Sequence, residues 1–514
     1  MAGLLQTGSG VVARRVCLGA LALAAACAAS ALSGGGATAA APQERPNIVF
    51  VLTDDQTIQQ LSSKSMPFTR KTLLQGGTEF TDAIVTTPLC CPARGSFLTG
   101  QYAHNHGAWN TYRTFERDTD NLATWLGDAG YRTAMVGKYM NQYEDVASSP
   151  TKPAPGWDQW RMLLEPLSYY DYDVAVNGER RHRGTRNKDY ATTYLNHEAT
   201  ELVKRWAPGT RPFFLWYAPH APHDEKIASK GRCAGRAVPG PRDQDLYGRF
   251  DLPKGPSFNE RQISDKPGFI RSLPRLGRSE IRELEHLYRC RSASLREVDR
   301  GVADIVRELR RRNELDESVI VLASDNGLFH GEHRLEDGKR LAYTEAVDIP
   351  FLMKVPSSVA GGGTTGRVTK PVANIDLAPT LLELAGAEPC VGARCQVMDG
   401  RSLVPLLRGN SSGWPADRGR LLEMRNCRFT GLLAAGEMIV HYSSIPRRPG
   451  RRGCIHRDAY ERYRLGQDPF QLRNLADRLD DLPDERRQRM NRLRDCTGIQ
   501  GRDPAPPPGS IYCE

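Results

Sequence analysis

The stretch Asn47-Ile-Val-Phe-Val-Leu-Thr53 is a continuous apolar run rich in β-branched residues, and Asp54-Asp55 follows it directly. A strand that is covered on both faces has such a run, whereas a half-exposed strand alternates polar with apolar residues. The stretch therefore predicts an inner strand of a parallel sheet. It also places two carboxylates at the carboxyl end of that strand.

Three further apolar runs end at polar residues that are capable of chemistry. They are Arg132–Val136 before Gly137-Lys138, Pro212–Tyr217 before Ala218-Pro219-His220, and Val319–Ala323 before Ser324-Asp325-Asn326-Gly327. The carboxyl ends of parallel strands meet at one edge of an open sheet, where folds of this type place their sites. The four runs together predict a site at that edge.

Helical patterns lie between these runs. Apolar residues recur at helical spacing from Leu295 to Leu309, and Asn121 is placed to cap a short helix that ends near Gly130. The alternation predicts an α/β fold, a large and mostly parallel sheet with helices on both faces. The stretch from Glu225 to Arg278 is rich in Gly, Pro, Arg and Lys, which predicts a long surface excursion beside the site.

The sequence changes character past about residue 412. Short strand-like runs, Leu432–Ala435 and Met438–Tyr442, precede a charged helical pattern. These features predict a smaller C-terminal α+β domain with a short antiparallel sheet at residues 413–502. Residues 503–514 are a Pro-rich tail.

The composition excludes several classes of protein. Of 514 residues, 39% are hydrophobic and 25% are charged, which excludes wholesale disorder, a collagen-like repeat and a polytopic membrane protein. The net charge of +10 indicates either a solvated basic surface or a polyanionic partner. Because the sequence has no zinc-finger spacing and no basic run with interleaved aromatic residues, nucleic acid is not expected as that partner.

The N-terminus has the pattern of an export signal. Arg14-Arg15 precedes the apolar stretch Val16–Ala29, and Ala37-Thr38-Ala39 supplies a cleavage site, so we predict a signal peptide at residues 1–39 and a secreted protein. The stretch is too short and too rich in alanine for a transmembrane anchor. Cys27 lacks the leucine of a lipobox, so neither a lipid anchor nor stable membrane insertion is expected.

The cysteines indicate a disulfide framework. Of the 12 cysteines, two leave with the signal peptide and Cys90-Cys91 form an adjacent pair, which leaves an even set of eight. Pairing neighbours in sequence predicts the bridges Cys233–Cys290, Cys390–Cys395, Cys427–Cys454 and Cys496–Cys513. This is one of about 105 pairings that eight cysteines allow.

The segment Pro88-Leu-Cys-Cys-Pro-Ala-Arg-Gly-Ser-Phe-Leu-Thr-Gly100 carries the most informative chemical pattern. Pro92 suits the first turn of a helix, whose free N–H groups and dipole favour an anion. Arg94 adds a planar fork that suits a tetrahedral oxyanion. The alternative interpretation is a vicinal cysteine pair in a buried turn.

This segment resembles the modification motif of the sulfatase family, C-x-P-[SA]-R followed by x-x-hydrophobic-hydrophobic-T-G. The resemblance implies that a separate formylglycine-generating enzyme oxidises Cys90 to formylglycine (3-oxoalanine), while Cys91 is a bystander. The hydrated aldehyde would supply an oxygen nucleophile. The resemblance also implies an alkaline-phosphatase-like fold, with residues 44–412 as the catalytic domain.

Four residues at strand ends are candidate metal ligands, namely Asp54, Asp55, Asp325 and Asn326. All four offer oxygen, which suits a hard cation, Ca²⁺ or Mg²⁺, rather than zinc. One Asp-Asp pair alone is more often a turn or a cap. The sulfatase resemblance implies that the four hold one ion, usually Ca²⁺, together with the modified Cys90.

The element Gly137-Lys138-Tyr139-Met140-Asn141 resembles the family's G-K-x-H motif, with Met140 in place of the histidine. That histidine helps to deprotonate the formylglycine hydrate in many members, so its substitute here is an open question. His106, His330 and His333 are the candidates. The variant G-K-Y-x-N, together with C-C-P-[SA]-R, resembles the N-acetylglucosamine-6-sulfatase and arylsulfatase branch.

The resemblance assigns further roles in sulfate ester cleavage. His220, preferred over His223, would protonate the leaving alcohol, and Arg94, Lys138 and Lys339 would hold the sulfate oxygens. Candidate substrate-binding residues are the histidines His104, His106, His223 and His330.

The segment Tyr460-Glu-Arg-Tyr-Arg-Leu-Gly-Gln-Asp-Pro-Phe-Gln-Leu-Arg-Asn-Leu475 resembles the family's C-terminal Y-D-L-x-x-D-P-x-E-x-x-N-L segment. The resemblance therefore extends from about Pro46 to about residue 480. It implies a sulfuric ester hydrolase that acts on a sulfated carbohydrate or an aryl sulfate. A phosphonate or phosphodiester hydrolase of the same superfamily and a non-catalytic binder of sulfated glycans are the alternatives.

Overall fold

The computed structural model describes residues 45–227, 229–360, 366–425, 427–447 and 453–514. The predicted signal peptide at residues 1–39 lies outside the described residues.

The described strands are β1 Asn47–Thr53, β2 Thr78–Phe80, β3 Ala83–Ile84, β4 Arg132–Gly137, β5 Gln159–Leu163, β6 Tyr172–Val176, β7 Glu179–Arg183, β8 Phe213–Ala218, β9 Ser318–Ser324, β10 Phe351–Lys354, β11 Gly366–Val368, β12 Val372–Ala373, β13 Cys390–Val391, β14 Arg394–Cys395, β15 Arg420–Met424, β16 Phe429–Ala434, β17 Glu437–Tyr442, β18 Ile445–Pro446, β19 Cys454–Ile455 and β20 Ala459–Arg464.

The described α-helices are α1 Pro67–Gln75, α2 Cys90–Thr99, α3 Ala103–His106, α4 Leu122–Asp128, α5 Ala191–Trp206, α6 Gly268–Arg271, α7 Arg278–Arg311, α8 Thr344–Val347, α9 Ser357–Ala360, α10 Leu377–Ala385, α11 Val404–Leu407 and α12 Asp484–Arg494. Short 3₁₀ helices occupy Ile58–Gln60, Tyr112–Thr114, Asn187–Asp189, Gln244–Arg249, Asn374–Asp376 and Leu479–Asp481.

The four predicted apolar runs are the adjacent inner strands of a ten-stranded sheet. The strand order is β11-β2-β10-β9-β1-β8-β4-β5-β6-β7, and β9, β1, β8 and β4 run parallel to one another. Strand β5 continues this parallel block, whereas β6, β7 and β10 pair antiparallel. The prediction of a large, mostly parallel sheet is confirmed.

Both faces of the sheet are covered, which explains why β1 is apolar throughout. Ile48, Phe50 and Leu52 belong to one hydrophobic cluster, which also contains side chains of α2, α4 and α10. Val49 and Val51 belong to a second cluster, with side chains of α5 and α7. Successive side chains of a strand point to opposite faces, so the two clusters lie on the two sides of the sheet.

The C-terminal residues form a four-stranded antiparallel sheet in the order β15-β16-β17-β20. Helix α12 packs on it through Met490 and Leu493, which share a hydrophobic cluster with Leu432 and Val440. The predicted short strands are therefore β16 and β17, and the predicted charged helix is α12. Strands β15 and β20 were not predicted.

The stretch from Glu225 to Arg278 is in part the predicted surface excursion and in part packed into the fold. Much of its backbone is irregular, but Glu225, Asp243, Glu260 and Lys266 are buried. These charged side chains have polar partners, some local and some distant in sequence: Glu225 accepts from the Ser229 hydroxyl at 2.6 Å, and Lys266 donates to the Gln471 carbonyl at 2.6 Å. Burying a polar group without a partner is costly, and such bonds remove that cost. The following helix, α7, begins at Arg278, well before the predicted Leu295.

All four predicted disulfides are present. They join Cys233 to Cys290, Cys390 to Cys395, Cys427 to Cys454 and Cys496 to Cys513. Cys90 and Cys91 are free and buried. Among the helices that the structure describes, none combines the length and the apolar character that a membrane span requires.

Candidate active site

The carboxyl ends of β1, β9, β4 and β8 converge, as predicted, on one group of polar side chains. Asp54 and Asp55 follow β1, and Asp325 and Asn326 follow β9. Lys138 follows β4, His220 lies two residues beyond the end of β8, and helix α2 begins at Cys90. Asp54, Asp55 and Asp325 are called the carboxylate cluster below.

The backbone of Asp55 has φ 68°, in the left-handed region. Successive side chains of an extended strand would point in opposite directions. The turn at Asp55 instead lets the carboxylates of Asp54 and Asp55 both approach Cys90, with Oδ1 atoms 3.5 and 4.0 Å from its Sγ. An aspartate tolerates this conformation better than most residues.

The carboxylate cluster fits a hard divalent cation. Asp54, Asp55, Asp325 and Cys90 each offer a ligand atom, and these atoms all lie within 4.8 Å of one another. The Asn326 amide nitrogen donates to Asp55 Oδ1 at 2.6 Å, while its Oδ1, within the described residues, is buried without a hydrogen-bond partner. An orphaned amide oxygen beside three carboxylates is the ligand chemistry of Ca²⁺ or Mg²⁺.

Three cations face the carboxylate cluster. Lys138 Nζ lies 2.5 Å from Asp54 Oδ2, Lys339 donates to Asp55 Oδ1, and Arg94 Nε donates to Asp325 Oδ2 at 2.9 Å. Arg94 Nη1 also donates to the carbonyls of Lys138 and Tyr139 at 2.5 and 3.1 Å. These contacts fix the cations beside residue 90.

The same contacts set the pKa values of the carboxylates. Burial alone would raise the pKa of Asp54 and Asp55, but Lys138 and Lys339 reverse this, so that the pKa of Asp54 falls well below its usual value and that of Asp55 falls to about 2. Burial and the neighbouring Asp54 raise the pKa of Asp325 to about 6. At neutral pH the carboxylate cluster is therefore ionised and ready to hold a cation.

Cys90 is the residue on which these groups converge. Its side chain is buried, and Lys339 Nζ lies 3.0 Å from Sγ. Burial raises the pKa of the Cys90 thiol to about 12, despite the opposing effect of Lys138 and Lys339. The thiolate is the nucleophilic form of cysteine. An unmodified Cys90 is thus a poor nucleophile at neutral pH.

The two histidines of Ala-Pro-His-Ala-Pro-His both reach the carboxylate cluster. His220 Nδ1 lies 3.7 Å from Asp54 Oδ2, and His223 Nε2 lies 3.7 Å from Asp55 Oδ2. Within the described residues, neither ring nitrogen of His220 has a hydrogen-bond partner. Burial lowers the pKa of His223 to about 4. Both imidazoles are placed to exchange a proton with a group bound at the cluster.

Other predicted histidines have partners elsewhere. His104 Nδ1 lies 3.0 Å from Glu423 Oε2, and its Nε2 lies 2.9 Å from the Cys496 carbonyl. His106 Nε2 lies 3.1 Å from Ser96 Oγ. These contacts connect α3 to the C-terminal sheet and to α2. Neither the His104 ring nor the His106 ring contacts the carboxylate cluster.

The position of the expected histidine in G-K-x-H is occupied by Met140, which packs in the hydrophobic core. Of the substitutes considered, His333 Nδ1 pairs with Glu260 Oε2 at 2.7 Å, and His330 Nε2 lies 3.1 Å from Arg291 Nη1. His223 is the additional imidazole that the structure brings to the carboxylate cluster.

Arg291 on α7 joins the site although it was not among the predicted site residues. It is buried, and Nη2 lies 3.0 Å from Asp224 Oδ2 while Nη1 lies 3.2 Å from Asp337 Oδ1. Asp224 adjoins His223, and Asp337 precedes Lys339 by two residues. Arg291 therefore ties together two loops that carry site residues. A signal existed, because Arg291 interrupts the apolar stripe of α7 between Leu287 and Leu295.

We expect Arg291→Gln to lower kcat/KM by about 10- to 100-fold, because small misplacements of reacting groups cost rates of this order. Arg291→Lys should recover part of the loss, since one ammonium can still pair with one of the two carboxylates. Steady-state kinetics on an aryl sulfate and thermal unfolding would be compared with Arg310→Gln, which changes an exposed arginine of the same helix. A drop in the unfolding midpoint with unchanged kcat and KM would contradict the positioning role.

Comparisons with known proteins agree with this geometry. The model of the Sulfatase family matches residues 46–387. The chain is 32% identical over 392 residues to the extracellular sulfatase SULF-1 homolog of Drosophila melanogaster, covering 73% of this chain and 33% of the relative. It is 32% identical over 436 residues to an arylsulfatase of Volvox carteri, covering 80% and 66%. The chain thus spans between a third and two thirds of the length of these two relatives.

A further relative matches over nearly its whole length. The N-acetylglucosamine-6-sulfatase of Homo sapiens is 29% identical over 513 residues, covering 90% of this chain and 87% of the relative. Among solved structures, a complex with the substrate D-glucosamine-2-N,6-O-disulfate has TM-score 0.67 and 22% identity, covering 84% of this chain and 93% of that one. The phosphonate monoester hydrolase of Agrobacterium radiobacter has TM-score 0.62 and 20% identity, covering 85% and 92%. These structures share the fold.

Proposed function

The chain belongs to the sulfatase family, and from this membership and the geometry of its site we propose that it is a sulfuric ester hydrolase. The observation that carries the proposal is the convergence of three carboxylates, three cations and two imidazoles on residue 90. The proposed substrates are sulfate esters of a carbohydrate, as the names of the relatives suggest, or an aryl sulfate.

We propose that Cys90 is converted to formylglycine by a formylglycine-generating enzyme, and that the carboxylate cluster and Asn326 hold Ca²⁺, with Mg²⁺ as the alternative. The hydrated aldehyde would supply an oxygen nucleophile at position 90, and the cation would polarise a sulfate oxygen. The high pKa of the unmodified thiol and the orphaned oxygen of Asn326 support this assignment.

Arg94, Lys138 and Lys339 are proposed to bind and orient the sulfate group. All three are held by acceptors on the walls of the site, so their charges are in place before a substrate arrives. Fixed charges of this kind stabilise the negative charge that develops as the S–O bond breaks. Lys339 Nζ lies 3.0 Å from Cys90 Sγ, beside the reacting position.

His220 is proposed to donate a proton to the departing alcohol. Its ring is buried against Tyr169, with ring centroids 5.3 Å apart, and both ring nitrogens are free for a new hydrogen bond within the described structure. General acids act at hydrogen-bond distance from the atom that they protonate. His223, whose pKa burial lowers to about 4, is mostly neutral at pH 7 and can accept a proton.

The peptide that carries residue 90 should contain an aldehyde in place of the thiol when the protein is made in its native secreting host. Intact-mass analysis of that peptide would be combined with a panel of sulfate, phosphate and phosphonate esters. The proposal expects the aldehyde together with a preference for sulfate. A preference for phosphonate would favour a hydrolase of that ester, and an intact thiol with salt-sensitive binding but no turnover would favour a binding protein.

Secretion is proposed from the N-terminal signal pattern. The name of one relative places it outside the cell. Four disulfides in the chain suit an oxidising compartment, because cytosolic proteins rarely keep them.

A further inference from the structure

Lys339 reaches the carboxylate cluster from an irregular stretch between strand β9 and helix α8. Before it, the Gly338 carbonyl accepts from the Phe329 N–H at 2.9 Å. Among the described residues, the backbone of 339–341 makes no hydrogen bond with other backbone groups. The position of Lys339 therefore depends on what holds the residues on either side of it. We call residues 339–344 the Lys339 segment.

The far end of the Lys339 segment is held at three consecutive residues by the C-terminal part of the chain. Gln471 Nε2 donates to the Ala342 carbonyl at 3.4 Å, and the Thr344 N–H donates to Gln471 Oε1 at 2.7 Å. Between these two contacts, the Tyr343 hydroxyl donates to Glu461 Oε1 at 2.6 Å. Glu461 lies on β20 of the C-terminal sheet, and Gln471 follows that strand. The C-terminal sheet thus supports a segment that carries a site residue.

Gln471 is itself rigidly held. Its side chain is fully buried, and its backbone has φ 50°, in the left-handed region. Its N–H donates to the Asp468 carbonyl at 3.1 Å, and its carbonyl accepts from the buried Lys266 at 2.6 Å. A left-handed backbone is unfavourable for a residue other than glycine and persists where the surroundings fix it. Gln471 can therefore transmit a fixed position to the Lys339 segment.

We propose that Gln471 and Glu461 are positioning residues for Lys339, so that the C-terminal sheet completes the binding site for the sulfate group. Within the described residues, neither side chain contacts the carboxylate cluster, so both act through the Lys339 segment. Lys339 donates to Asp55 and lies 3.0 Å from Cys90 Sγ. A charge contributes most when its position is fixed before the substrate arrives. This inference rests on the proposed function, which assigns Lys339 to the sulfate group.

Gln471→Met removes both hydrogen bonds to the Lys339 segment and keeps an unbranched side chain of similar length. We expect it to lower kcat/KM for an aryl sulfate by about tenfold, because small displacements of a reacting group cost rates of this order. Gln471→Glu keeps an oxygen for the Thr344 N–H and should recover most of the loss. Gln467→Met, at an exposed position in the turn after β20, is the matched control and should be unchanged. Wild-type kinetics in Gln471→Met would overturn the inference.

A double-mutant cycle tests whether Gln471 acts through Lys339. In the Lys339→Met background, Gln471→Met should lower kcat/KM by less than about twofold, because the group that it positions is already gone. The effects of independent sites add. An equal loss with and without Lys339 would therefore assign Gln471 a general structural role and overturn the inference.

A matched pair of tyrosines tests Glu461, and it serves even if Gln471→Met fails to fold. The Tyr463 hydroxyl donates to the same Glu461 oxygen as the Tyr343 hydroxyl, also at 2.6 Å. Both rings are buried, so Tyr343→Phe and Tyr463→Phe should lose similar stability. Because Tyr343 alone belongs to the Lys339 segment, Tyr343→Phe should lower kcat/KM by about threefold or more, with Tyr463→Phe unchanged. Equal kinetics in the two variants would overturn the inference.

Sulfate binding without turnover separates this inference from the proposed function. Calorimetric titration of the Cys90→Ala protein with inorganic sulfate measures the anion site directly. Gln471→Met should weaken this binding by about threefold or more when Lys339 is present, and by less than about twofold in the Lys339→Met background. If no sulfate ester is hydrolysed but this pattern is found, the proposed function fails and the positioning role stands. Equal losses of affinity with and without Lys339 would overturn the inference even in an active sulfatase.

Discussion

Replacing Cys90 with alanine is expected to lower kcat/KM for every sulfate ester by at least about 10⁴-fold, a loss typical of removing a nucleophile. The structure places no second nucleophile at the point where Asp54, Asp55 and Lys339 meet, among the residues it describes. Water or a neighbouring side chain would have to act from a different position. The oriented cations would still bind sulfate, so KM should change less than kcat.

The fold should tolerate this change. Alanine favours the start of helix α2, and the ion pair between Lys339 and Asp55 does not require the sulfur. The expected loss of stability is about 1 kcal/mol. Thermal unfolding and steady-state kinetics on the same preparation would measure both effects.

Cys91→Ala is the matched control, because it removes the adjacent, fully buried thiol from the hydrophobic core. A small cavity in the core should lower stability by about 1 to 2 kcal/mol, with turnover largely kept. The two variants should therefore lose similar stability but differ sharply in turnover. Turnover near the wild-type rate in Cys90→Ala would exclude residue 90 as the nucleophile, whereas loss of turnover in Cys91→Ala alone would assign that role to the other thiol.

The inner strands were predictable because a strand that is buried on both faces has a continuous apolar sequence. Strand β1 is buried on both faces, and its apolar run has the same bounds in the structure as in the prediction. Strand β7, in contrast, has the sequence Glu-Arg-Arg-His-Arg and is mostly exposed at the sheet edge. Within the described part of the chain, its one strand partner is β6, through backbone pairing from Tyr172 to Val176. A polar edge strand is held by backbone hydrogen bonds, so its side chains show no periodic apolar pattern from which it could be predicted.

The residues of the site also fall into those that the sequence predicts and those that it does not. Asp54, Asp55, Asp325 and Asn326 were predictable because each follows an apolar strand and the ends of parallel strands meet. Arg291 acts through Asp224 and Asp337, which are 67 and 46 residues away in the sequence. Nothing local to these residues indicates that tertiary packing brings them together. The contact of His104 with Glu423, across 319 residues, was hidden for the same reason.

Removal of divalent cations is expected to abolish activity, with a loss of at least about 10³-fold that Ca²⁺ restores. Without an ion, the three ionised carboxylates and the three cations of the site balance formally. Lys138 and Lys339 then pair directly with Asp54 and Asp55. A bound divalent cation would make the site positive and free the lysines to face a sulfate anion. Activity after chelation and dialysis, with Ca²⁺ or Mg²⁺ added back, measures this dependence.

Ion binding should also be visible without turnover. At a Ca²⁺ concentration about 100 times the dissociation constant, binding stabilises the folded state by about 2.7 kcal/mol. Thermal unfolding of the chelated protein across a Ca²⁺ titration would detect this shift. Asp325→Asn removes one charge and one of the two oxygens that accept from Arg94 and from the backbone N–H of Asp55. Asn326→Ala removes the orphaned amide oxygen without changing the charge.

Both variants should raise the Ca²⁺ concentration needed for half-maximal stabilisation by at least about tenfold, because each removes part of the ligand set. Asp128→Asn, which changes an exposed aspartate at the end of helix α4, should leave it unchanged. Full activity after exhaustive chelation, with no Ca²⁺-dependent shift in unfolding, would mean that Lys138 and Lys339 alone neutralise the carboxylate cluster. The orphaned oxygen of Asn326 would then need another partner, and the substrate itself would be the remaining candidate.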